Sequence, residues 1–210
     1  MNKFTPQVPK THYLTPAYNH KARWIHYWQQ INLVLKSRAK NILEVGPGIG
    51  IVTKFLREAG FKITTIDIDP ELKPDVVASV LNLPFRDNEF DLVLAAEVLE
   101  HLPFEDFRKA LLELERVTKK DIIISLPDHR RTLFKISFKI PFLEEKNFIF
   151  RIPTFKKHQF DGQHYWEIGK KSFSLSKIKA EIKDTGLKII KNFAPQDNPL
   201  NHYFILEKLL

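Results

Sequence analysis

The sequence predicts an α/β protein, a three-layer sandwich in which helices cover both faces of a mostly parallel sheet. Apolar runs alternate with helical patterns between residues 41 and 127, as strands and helices do in a doubly wound sheet. Most of these runs are apolar at consecutive positions, which is typical of strands buried on both faces. Only residues 194–201 separate the last two runs, which leaves no room for a crossover helix. We therefore expect those two strands to pair antiparallel.

The individual elements follow from the same patterns. A helix is predicted over residues 18–38, where large apolar residues recur at helical spacing and give it one apolar side. These residues are Trp24, Trp28, Ile31 and Leu35. The run NILEV (41–45) leads into glycines and a second helix, which stops at Gly60. The remaining elements are strands at 61–68, 75–80, 90–96 and 121–126, helices at 103–118 and 174–185, and strands at 187–193 and 202–207.

Residues 128–171 interrupt this order as an insertion after the fifth strand, and they carry nine aromatic residues. Residues 134–142 fit two patterns. The aromatics at positions 134, 138 and 142 match a helical stripe, whereas apolar residues at every second position match a strand. Periodicity alone leaves the local structure of this segment open.

Composition limits the classes to which the protein can belong. A chain of 210 residues with 43% hydrophobic content suits one domain with one substantial core. The absence of cysteine excludes disulfides and thiolate metal ligands, and it fits the reducing cytoplasm. No apolar run approaches the roughly 20 residues that span a bilayer, and the N-terminus lacks the apolar core of a secretory signal. We expect a soluble, cytoplasmic protein.

Charge is distributed unevenly along the chain, whose net charge is +8. Residues 41–127 hold ten Lys or Arg against sixteen Asp or Glu, so the middle of the chain is acidic. The flanking segments are basic, with seven bases and no acid in 1–40 and ten bases against five acids in 128–171. A basic face concentrates anions, which predicts an anionic partner or peripheral contact with a membrane surface. A solvated lysine-rich surface is the alternative interpretation.

The sequence EVGPGIG (44–50) follows the first strand, where a doubly wound sheet binds ligands outside the carboxyl ends of its strands. Glycines there let a ligand approach the backbone. Asp67 stands 21 residues after Gly46, at the end of the second strand, where a carboxylate can accept from both hydroxyls of a ribose. The spacing differs from the dinucleotide fingerprint G-x-G-x-x-G, and Glu44 would repel a pyrophosphate but attract a cationic ligand. As an alternative, Asp67 is only a turn residue before Asp69.

With TIDID (65–69) and LPFRDNEFDLVLAAEVLEHL (83–102), this loop resembles the class I S-adenosylmethionine-dependent methyltransferases. The resemblance is to the small methyltransferase-11-type group that includes quinone-biosynthesis enzymes, and it covers roughly residues 40–127. It implies a Rossmann-like sandwich whose seven-stranded sheet ends in an antiparallel strand. It also implies an enzyme that uses S-adenosylmethionine. We predict no metal site.

One methyltransferase domain is expected to fill the chain. Its four parts are an N-terminal helical cap (1–40), a cofactor-binding core (41–127), an acceptor-side insertion (128–171), and a C-terminal helix with a strand pair (172–210).

The resemblance further implies cofactor contacts at eleven positions. Those for the methionine and ribose portions are Glu44, Gly46, Gly48, Gly50 and Asp67. Those for adenine are Ile68, Ser79, Val80 and Leu81. Ser79 stands where many relatives carry an aspartate that receives the adenine amino group, so this contact departs from the family pattern. Glu97 and Val98 end the fourth strand and would border the site of methyl transfer.

Catalytic residues are harder to predict, because a sulfonium is already a strong electrophile. The protein must chiefly align acceptor and methyl, and a general base helps only when the acceptor loses a proton. Histidine titrates near neutral pH, which makes His101, His158 and His164 candidates, with Glu97 as a fourth. We name His101 and His164 as catalytic candidates. For His101 the alternative is a helix-start residue that bonds the backbone near Pro103.

The sequence DGQHYWEIG (161–169) ends the insertion, which places His164, Tyr165 and Trp166 at the lip of an acceptor pocket. Trp166 and Glu167 are expected to pin this segment to the domain. The aromatic residues of the insertion and its surplus of positive charge indicate a small acceptor that is apolar and carries negative charge. Alternatively, the aromatics give a long loop its own small core.

Two other functions stay open on sequence grounds. One is a noncatalytic partner protein that binds S-adenosylmethionine. The other is a nucleic-acid methyltransferase, which we do not expect, because AAEVLEHL stands where an N-P-P-[YF] motif would follow the fourth strand.

Overall fold

The computed structural model describes residues 6–142 and 146–209. Residues 1–5 of the predicted cap, 143–145 of the predicted insertion and residue 210 lie outside the described residues. The strands are β1 (Asn41–Val45), β2 (Lys62–Asp67), β3 (Val76–Val77), β4 (Phe90–Ala96), β5 (Thr118–Pro127), β6 (Arg131–Phe138), β7 (Lys146–Ile152), β8 (Lys188–Phe193) and β9 (Asn201–Glu207). The α-helices are α1 (Lys21–Leu35), α2 (Ile51–Glu58), α3 (Phe104–Val117) and α4 (Leu175–Lys183). Short 3-10 helices occupy Lys10–Leu14, Pro70–Leu72 and Leu99–His101.

Seven strands form one sheet in the order β3-β2-β1-β4-β5-β9-β8. The first five pair in parallel, and β9 runs antiparallel to both β5 and β8. The expected α/β fold class, with its antiparallel last strand, is confirmed. Since parallel strands share one direction, the segments that follow β1, β2, β4 and β5 all emerge at the same edge of the sheet.

Consecutive residues of strand β4 are apolar because both faces of the strand are buried. Leu92 and Leu94 face a core shared with α1 and α2, whereas Val93 and Ala95 face a core shared with α3 and α4. All four side chains are fully buried. Burying a Val or Leu side chain contributes roughly 1.5–3 kcal/mol, so this strand anchors both layers.

The exposed side of α1 differs from what its apolar spacing suggests. Trp24, Trp28 and Leu35 are 53%, 56% and 48% exposed, so the predicted apolar stripe lies largely in solvent. The buried side instead consists of His26, Gln29, Gln30 and Val34. Polar partners hold that side down, because the Tyr203 hydroxyl and Nδ1 of His26 form a hydrogen bond of 2.5 Å. Spacing therefore located the helix but not its inner face.

Strand β3 is shorter than the predicted 75–80, because the chain leaves the sheet after Val77. The amide of Ala78 still donates to the carbonyl of Asp67 at 3.0 Å. The hydroxyl of Ser79 then accepts from the amide of Leu81 at 3.2 Å, which closes a turn. A local side-chain bond thus replaces the sheet ladder at this point.

The insertion contains a β-hairpin, which decides between the two patterns that the sequence left open. Strands β6 and β7 pair antiparallel, with Phe134 opposite Phe150 and Ile136 opposite Phe148. Opposed residues in such a pair share one face, so these side chains form a single apolar face. On the other face, Nζ of Lys135 donates to the carbonyl of Gln196 at 2.6 Å and ties the hairpin to the loop after β8.

The apolar face of the hairpin is open to solvent. Phe138 and Phe148 are 54% and 66% exposed, and Phe142, in the turn after β6, is fully exposed. Of the nine aromatics in the insertion, only Trp166 is buried. The alternative interpretation, in which the aromatics give this segment its own small core, is therefore wrong.

The base of the hairpin is held by a buried ion cluster. One oxygen of Asp128 lies 2.6 Å from both Arg130 Nη2 and Arg151 Nη1. Burial raises the pKa of Asp128, but hydrogen bonds from His202 and Arg130 and the two arginine charges hold it below its usual range.

Among the described residues, no helix combines the length and apolar content that crossing a bilayer requires.

We expect His26 to make the fold sensitive to acid. Burial lowers the pKa of His26 to about 3 from 6.5, so the folded state keeps the ring neutral where an unfolded chain would protonate it. The stabilising contribution of the neutral ring is complete above about pH 6.5 and is lost as the pH falls toward 3. By pH 4.5 the free energy of unfolding has decreased by roughly 2–3 kcal/mol.

Urea unfolding of the His26→Gln variant at pH 7.5 and 4.5 checks this expectation. The loss of stability between the two pH values should shrink relative to the parent protein. His20→Gln, at an exposed position just before α1, should leave that loss unchanged. An equal loss in parent and His26→Gln would contradict the role given to the ring.

Candidate active site

The loop after β1 exposes bare backbone at the carboxyl edge of the sheet. Gly46 has φ +69°, which L side chains rarely adopt, and a Cβ built there would lie 2.5 Å from Cγ2 of Val98. Gly50 has φ +75° and stands immediately before the first residue of α2. Both positions therefore require glycine, the first for close approach and the second for the turn into the helix. Gly48 lies between them, facing the N-terminal segment.

Glu44, near the end of β1, connects the start of this loop to α2. Its side chain is buried, and the Thr53 hydroxyl on α2 donates to Oε2 at 2.6 Å. Burial raises the pKa of Glu44 to about 7, against the opposing effects of Thr53 and the Arg57 charge. The carboxyl group thus links β1 to α2, and its contact with a cofactor ammonium group stays a prediction.

Asp67 ends β2 beside the glycine loop, half-buried. Its Oδ1 accepts the amide of Asp69 at 2.9 Å. Burial raises the pKa of Asp67, which the backbone hydrogen bonds at Asp69 and Ile68 partly offset. The carboxylate therefore stands at the edge of the sheet, two strands from β4, where a ribose could bridge to the glycine loop.

The positions predicted to contact adenine are placed less favourably. The Ser79 hydroxyl already accepts the Leu81 amide, and Val80 is buried in the core beneath α3. Ile68 and Leu81 are half-buried at the edge of that region. The adenine contacts of these residues stay predictions.

A tyrosine that the sequence did not single out lies across the glycine loop. A Cβ built at Gly48 would be 3.7 Å from Cε1 of Tyr13, which belongs to the first 3-10 helix. Burial, followed by the neighbouring Tyr18 and the charges of Asp67 and Asp69, raises the pKa of Tyr13 to about 12. The N-terminal segment therefore covers the loop and faces the carboxylate that ends β2.

The end of β4 carries two acids, one half-buried and one fully buried. Glu97 has φ +56°, a strained conformation for a residue with a side chain, of the kind that often marks functional sites. The Ser125 hydroxyl donates to Glu97 Oε1 at 3.1 Å. Glu100 is fully buried, and within the described residues neither carboxylate oxygen has a hydrogen-bond partner. Burial, followed by the charge of Glu97, raises the pKa of Glu100 well above its usual range.

The structure brings together the two histidines that the sequence named. The rings of His101 and His164 lie edge to face with centroids 5.1 Å apart. Burial, followed by the charge of His164, lowers the pKa of His101 to about 4. Burial lowers the pKa of His164 too, but its hydrogen bond to the Glu167 carboxylate and the charges of nearby carboxylates raise the pKa above its usual value. His158 is not in this pair, since its Nε2 meets only the backbone carbonyl of His164, at 2.8 Å.

The DGQHYWEIG segment is attached to the turn after β4. The Tyr165 amide donates to the Glu100 carbonyl at 2.9 Å, and the Trp166 indole N–H donates to the Leu102 carbonyl at 3.1 Å. The indole is fully buried against Phe104 and Phe107. Trp166 therefore anchors the segment, as its interpretation as a packing residue requires.

Helix α1 contributes a cation to the same region. The Arg23 guanidinium lies 4.3 Å above the ring of Tyr18, and its charge acts on Glu97, Glu100 and His101. Within residues 6–142 and 146–209, no carboxylate comes within 4.0 Å of it. Neither Arg23 nor Glu100 carried a local sequence signal, because their relation to the site arises only when distant segments meet.

The comparisons with known proteins agree with this geometry. Residues 43–126 match the family model described as a methyltransferase domain. The chain carries a class I S-adenosylmethionine-dependent methyltransferase domain. The expected family, enzyme class and cofactor are thereby confirmed, whereas the link to quinone biosynthesis stays a prediction.

Three individual proteins illustrate how far the similarity reaches. An uncharacterized protein of Methanocaldococcus jannaschii is 29% identical over 188 residues, covering 84% of this chain and 80% of that protein. A demethylmenaquinone methyltransferase of Corynebacterium urealyticum is 36% identical over 86 residues, covering 37% of this chain and 36% of the enzyme. The region similar to this chain thus covers only about a third of that enzyme's length.

A solved structure shows the fold. It is the Burkholderia thailandensis 1,6-didemethyltoxoflavin-N1-methyltransferase, crystallised with its substrate and S-adenosylhomocysteine. It superposes with a TM-score of 0.63 at 14% identity, covering 96% of this chain and 84% of that chain.

The residues of the methyltransferase fit S-adenosylmethionine. At Gly50 no atom lies within 4 Å of a built Cβ, so the backbone there is open to a ligand. Gly46, Gly48 and Gly50 would face the methionine and ribose portions, and Asp67 would accept from the ribose hydroxyls. Bound there, the cofactor supplies a methyl group on a sulfonium.

We expect Asp67→Ala to weaken cofactor binding by roughly tenfold or more. The change removes a charge-assisted hydrogen bond worth about 1.5–3 kcal/mol. Isothermal titration with S-adenosylhomocysteine measures the effect. Asp87→Ala is the matched control, since that acid is 71% exposed and pairs only with Arg116. Equal affinity in the parent and Asp67→Ala would refute the ribose contact.

Proposed function

We propose that this methyltransferase acts on a small molecule that is largely apolar and carries a negative charge. The observation that supports this most directly is the guanidinium of Arg23, which has no carboxylate within 4.0 Å among the described residues and is held in the region of Glu97 and His101. A cation that has lost part of its hydration gains most from an anionic ligand. The ring of Tyr18 beneath it adds apolar surface.

The cover over the site supports a small acceptor. Gln7 accepts from Nδ1 of His101 at 2.6 Å, and Tyr13 lies across Gly48, so residues 6–27 reach both ends of the cleft. The DGQHYWEIG segment bounds the same space from the opposite side. We place the acceptor between these two segments, which makes 128–171 an acceptor-side insertion and 1–40 a cap of one domain.

Alignment is the main task of the protein in such a reaction. Orienting acceptor and methyl group can supply on the order of 7–11 kcal/mol of barrier reduction. Arg23 and Tyr18 would hold the acceptor, Glu97 and Val98 would border the transferred group, and the N-terminal segment would exclude water. The transfer forms a bond from the acceptor atom to the methyl carbon and breaks the carbon–sulfur bond.

We expect a labelled methyl group to appear in an acidic, solvent-extractable compound. The test incubates the protein with methyl-labelled S-adenosylmethionine and, separately, lipid and aqueous extracts of cells, followed by mass spectrometry. Arg23→Gln should lower transfer by roughly tenfold or more, because it removes a charged hydrogen bond, while cofactor affinity stays within twofold. Lys21→Gln changes an exposed charge on the same helix and should alter neither quantity.

Other outcomes identify the competing functions. Label in RNA would favour the nucleic-acid methyltransferase. Cofactor binding with no transfer to any extract would favour the noncatalytic partner protein. Transfer that is unchanged in Arg23→Gln would refute an anionic acceptor.

We further propose that the hairpin contacts an anionic membrane surface, from which an apolar acceptor can be drawn. Its open apolar face carries Phe138 and Phe148, and its turn carries the fully exposed Phe142. The insertion holds ten bases against five acids, which complements anionic headgroups. Half-exposed aromatics gain free energy when a bilayer interface covers them.

Vesicle co-sedimentation tests this contact. The protein should bind phosphatidylglycerol-containing vesicles more tightly than phosphatidylcholine vesicles, and binding should weaken with salt. Phe138→Ser with Phe148→Ser should reduce the affinity by roughly tenfold or more. Phe55→Ser with Leu112→Ser removes comparably exposed apolar residues from α2 and α3 and should have little effect. Equal binding of both double variants would count against a hairpin-specific contact.

A further inference from the structure

A carboxylate with no partner lies at the centre of the site. Glu100 is fully buried, and neither of its oxygens accepts a hydrogen bond from the described residues. Burying an ionised carboxylate is costly unless it is paired or coordinates a metal ion. The turn Leu99–His101 nonetheless holds this group in place behind β4.

The two histidines beside Glu100 have the same nitrogen engaged. Nδ1 of His101 lies 3.0 Å from the Gln163 carbonyl and 2.6 Å from Oε1 of Gln7. Nδ1 of His164 lies 2.9 Å from Oε1 of Glu167. Because all three partners are acceptors, each Nδ1 carries a proton, and in the neutral ring Nε2 is the nitrogen whose lone pair is free to bind a metal ion. A metal-binding histidine is held in this way, by an acceptor on its other nitrogen.

We propose that Glu100, His101 and His164 bind a divalent transition-metal ion. One ligand atom from each residue lies within 4.8 Å of the others, as the ligands of a single ion can. Nε2 of His101 stands 3.9 Å from Oε1 of Glu100, and a bound ion would occupy the space between them. The sequence predicted no metal here, because Glu100 and His164 are 64 positions apart in the chain.

The ligand types indicate which ions suit the site. Two imidazoles and one carboxylate favour manganese, iron, cobalt or zinc over magnesium and calcium, which prefer oxygen ligands alone. Three protein ligands leave further positions open, as catalytic metal sites do. Glu167 and Gln163 orient the two rings from behind.

A second group of potential ligands shares His164 but is less suited to an ion. It would use Asp161 and Glu167. Oδ1 of Asp161 already accepts the amides of Gln163 and His164, at 3.0 and 2.8 Å. Nζ of Lys170 lies 2.5 Å from Glu167 Oε2 and neutralises that carboxylate. Glu100, by contrast, has no such competitor.

The location of the ion relates it to the acceptor, and this step alone rests on the proposed function. The charge of Glu97 acts on both Glu100 and His164, and Glu97 borders the expected site of methyl transfer. A bound cation would attract an oxygen or nitrogen of the acceptor and lower its pKa. His101 and His164 would then serve as ligands and not as general bases.

Metal binding is measured without cofactor or acceptor, so its failure and that of the proposed function are distinguishable. The full chain is stripped with a chelator and titrated with Co²⁺, followed by visible absorption, and with Zn²⁺, followed by calorimetry. We expect one equivalent to bind. Glu100→Gln and His164→Ala should each weaken binding by at least tenfold, and Glu167→Gln should weaken it by about 10- to 100-fold. His20→Ala, an exposed histidine, should bind as the parent does.

Thermal unfolding separates metal binding from a packing role. Zn²⁺ should raise the melting temperature of the parent protein but not that of Glu100→Gln. Without metal, Glu100→Gln should melt at or above the parent temperature, because it replaces a buried carboxyl group that has no hydrogen-bond partner among the described residues with a neutral group of similar size. Absence of one-equivalent binding, or full binding by the His101→Ala/His164→Ala double variant, would overturn the proposal. So would a Glu100→Gln protein that melts well below the stripped parent.

Discussion

The amide of Tyr165 donates to the carbonyl of Glu100, and the indole of Trp166 donates to the carbonyl of Leu102. These two bonds attach the end of a long insertion to the turn after β4. Because the indole is also fully buried in the core, the attachment is rigid, and it sets the position of His164 against His101. The pairing of the two histidines depends on this short stretch of hydrogen-bonded backbone.

Folding brings the basic and acidic segments of the chain together. The acidic middle supplies Glu97 and Glu100 at the end of β4, and the basic N-terminal segment brings Arg23 over them. Neither acid forms a salt bridge with Arg23, so the cation and the acids stay available to ligands.

Much of the fold follows from sequence because its signals are local. Strand β4 was predicted at its observed bounds, since six of its seven positions are apolar or aromatic and five of these are buried. The inner face of α1 was not, because His26 is held by Tyr203, 177 positions away. In the site, the glycine loop and Asp67 were predictable from spacing, whereas Tyr13, Arg23 and the unpaired state of Glu100 depend on contacts between distant segments.

The three tryptophans of the chain occupy contrasting environments. Trp166 is fully buried at the attachment of the insertion, whereas Trp24 and Trp28 are each more than half exposed on α1. Their fluorescence is therefore separable, since an aqueous quencher reaches the exposed pair and leaves the buried indole emitting at shorter wavelength. The molecule thus contains its own optical probe of whether the insertion is docked, independent of any ligand or label.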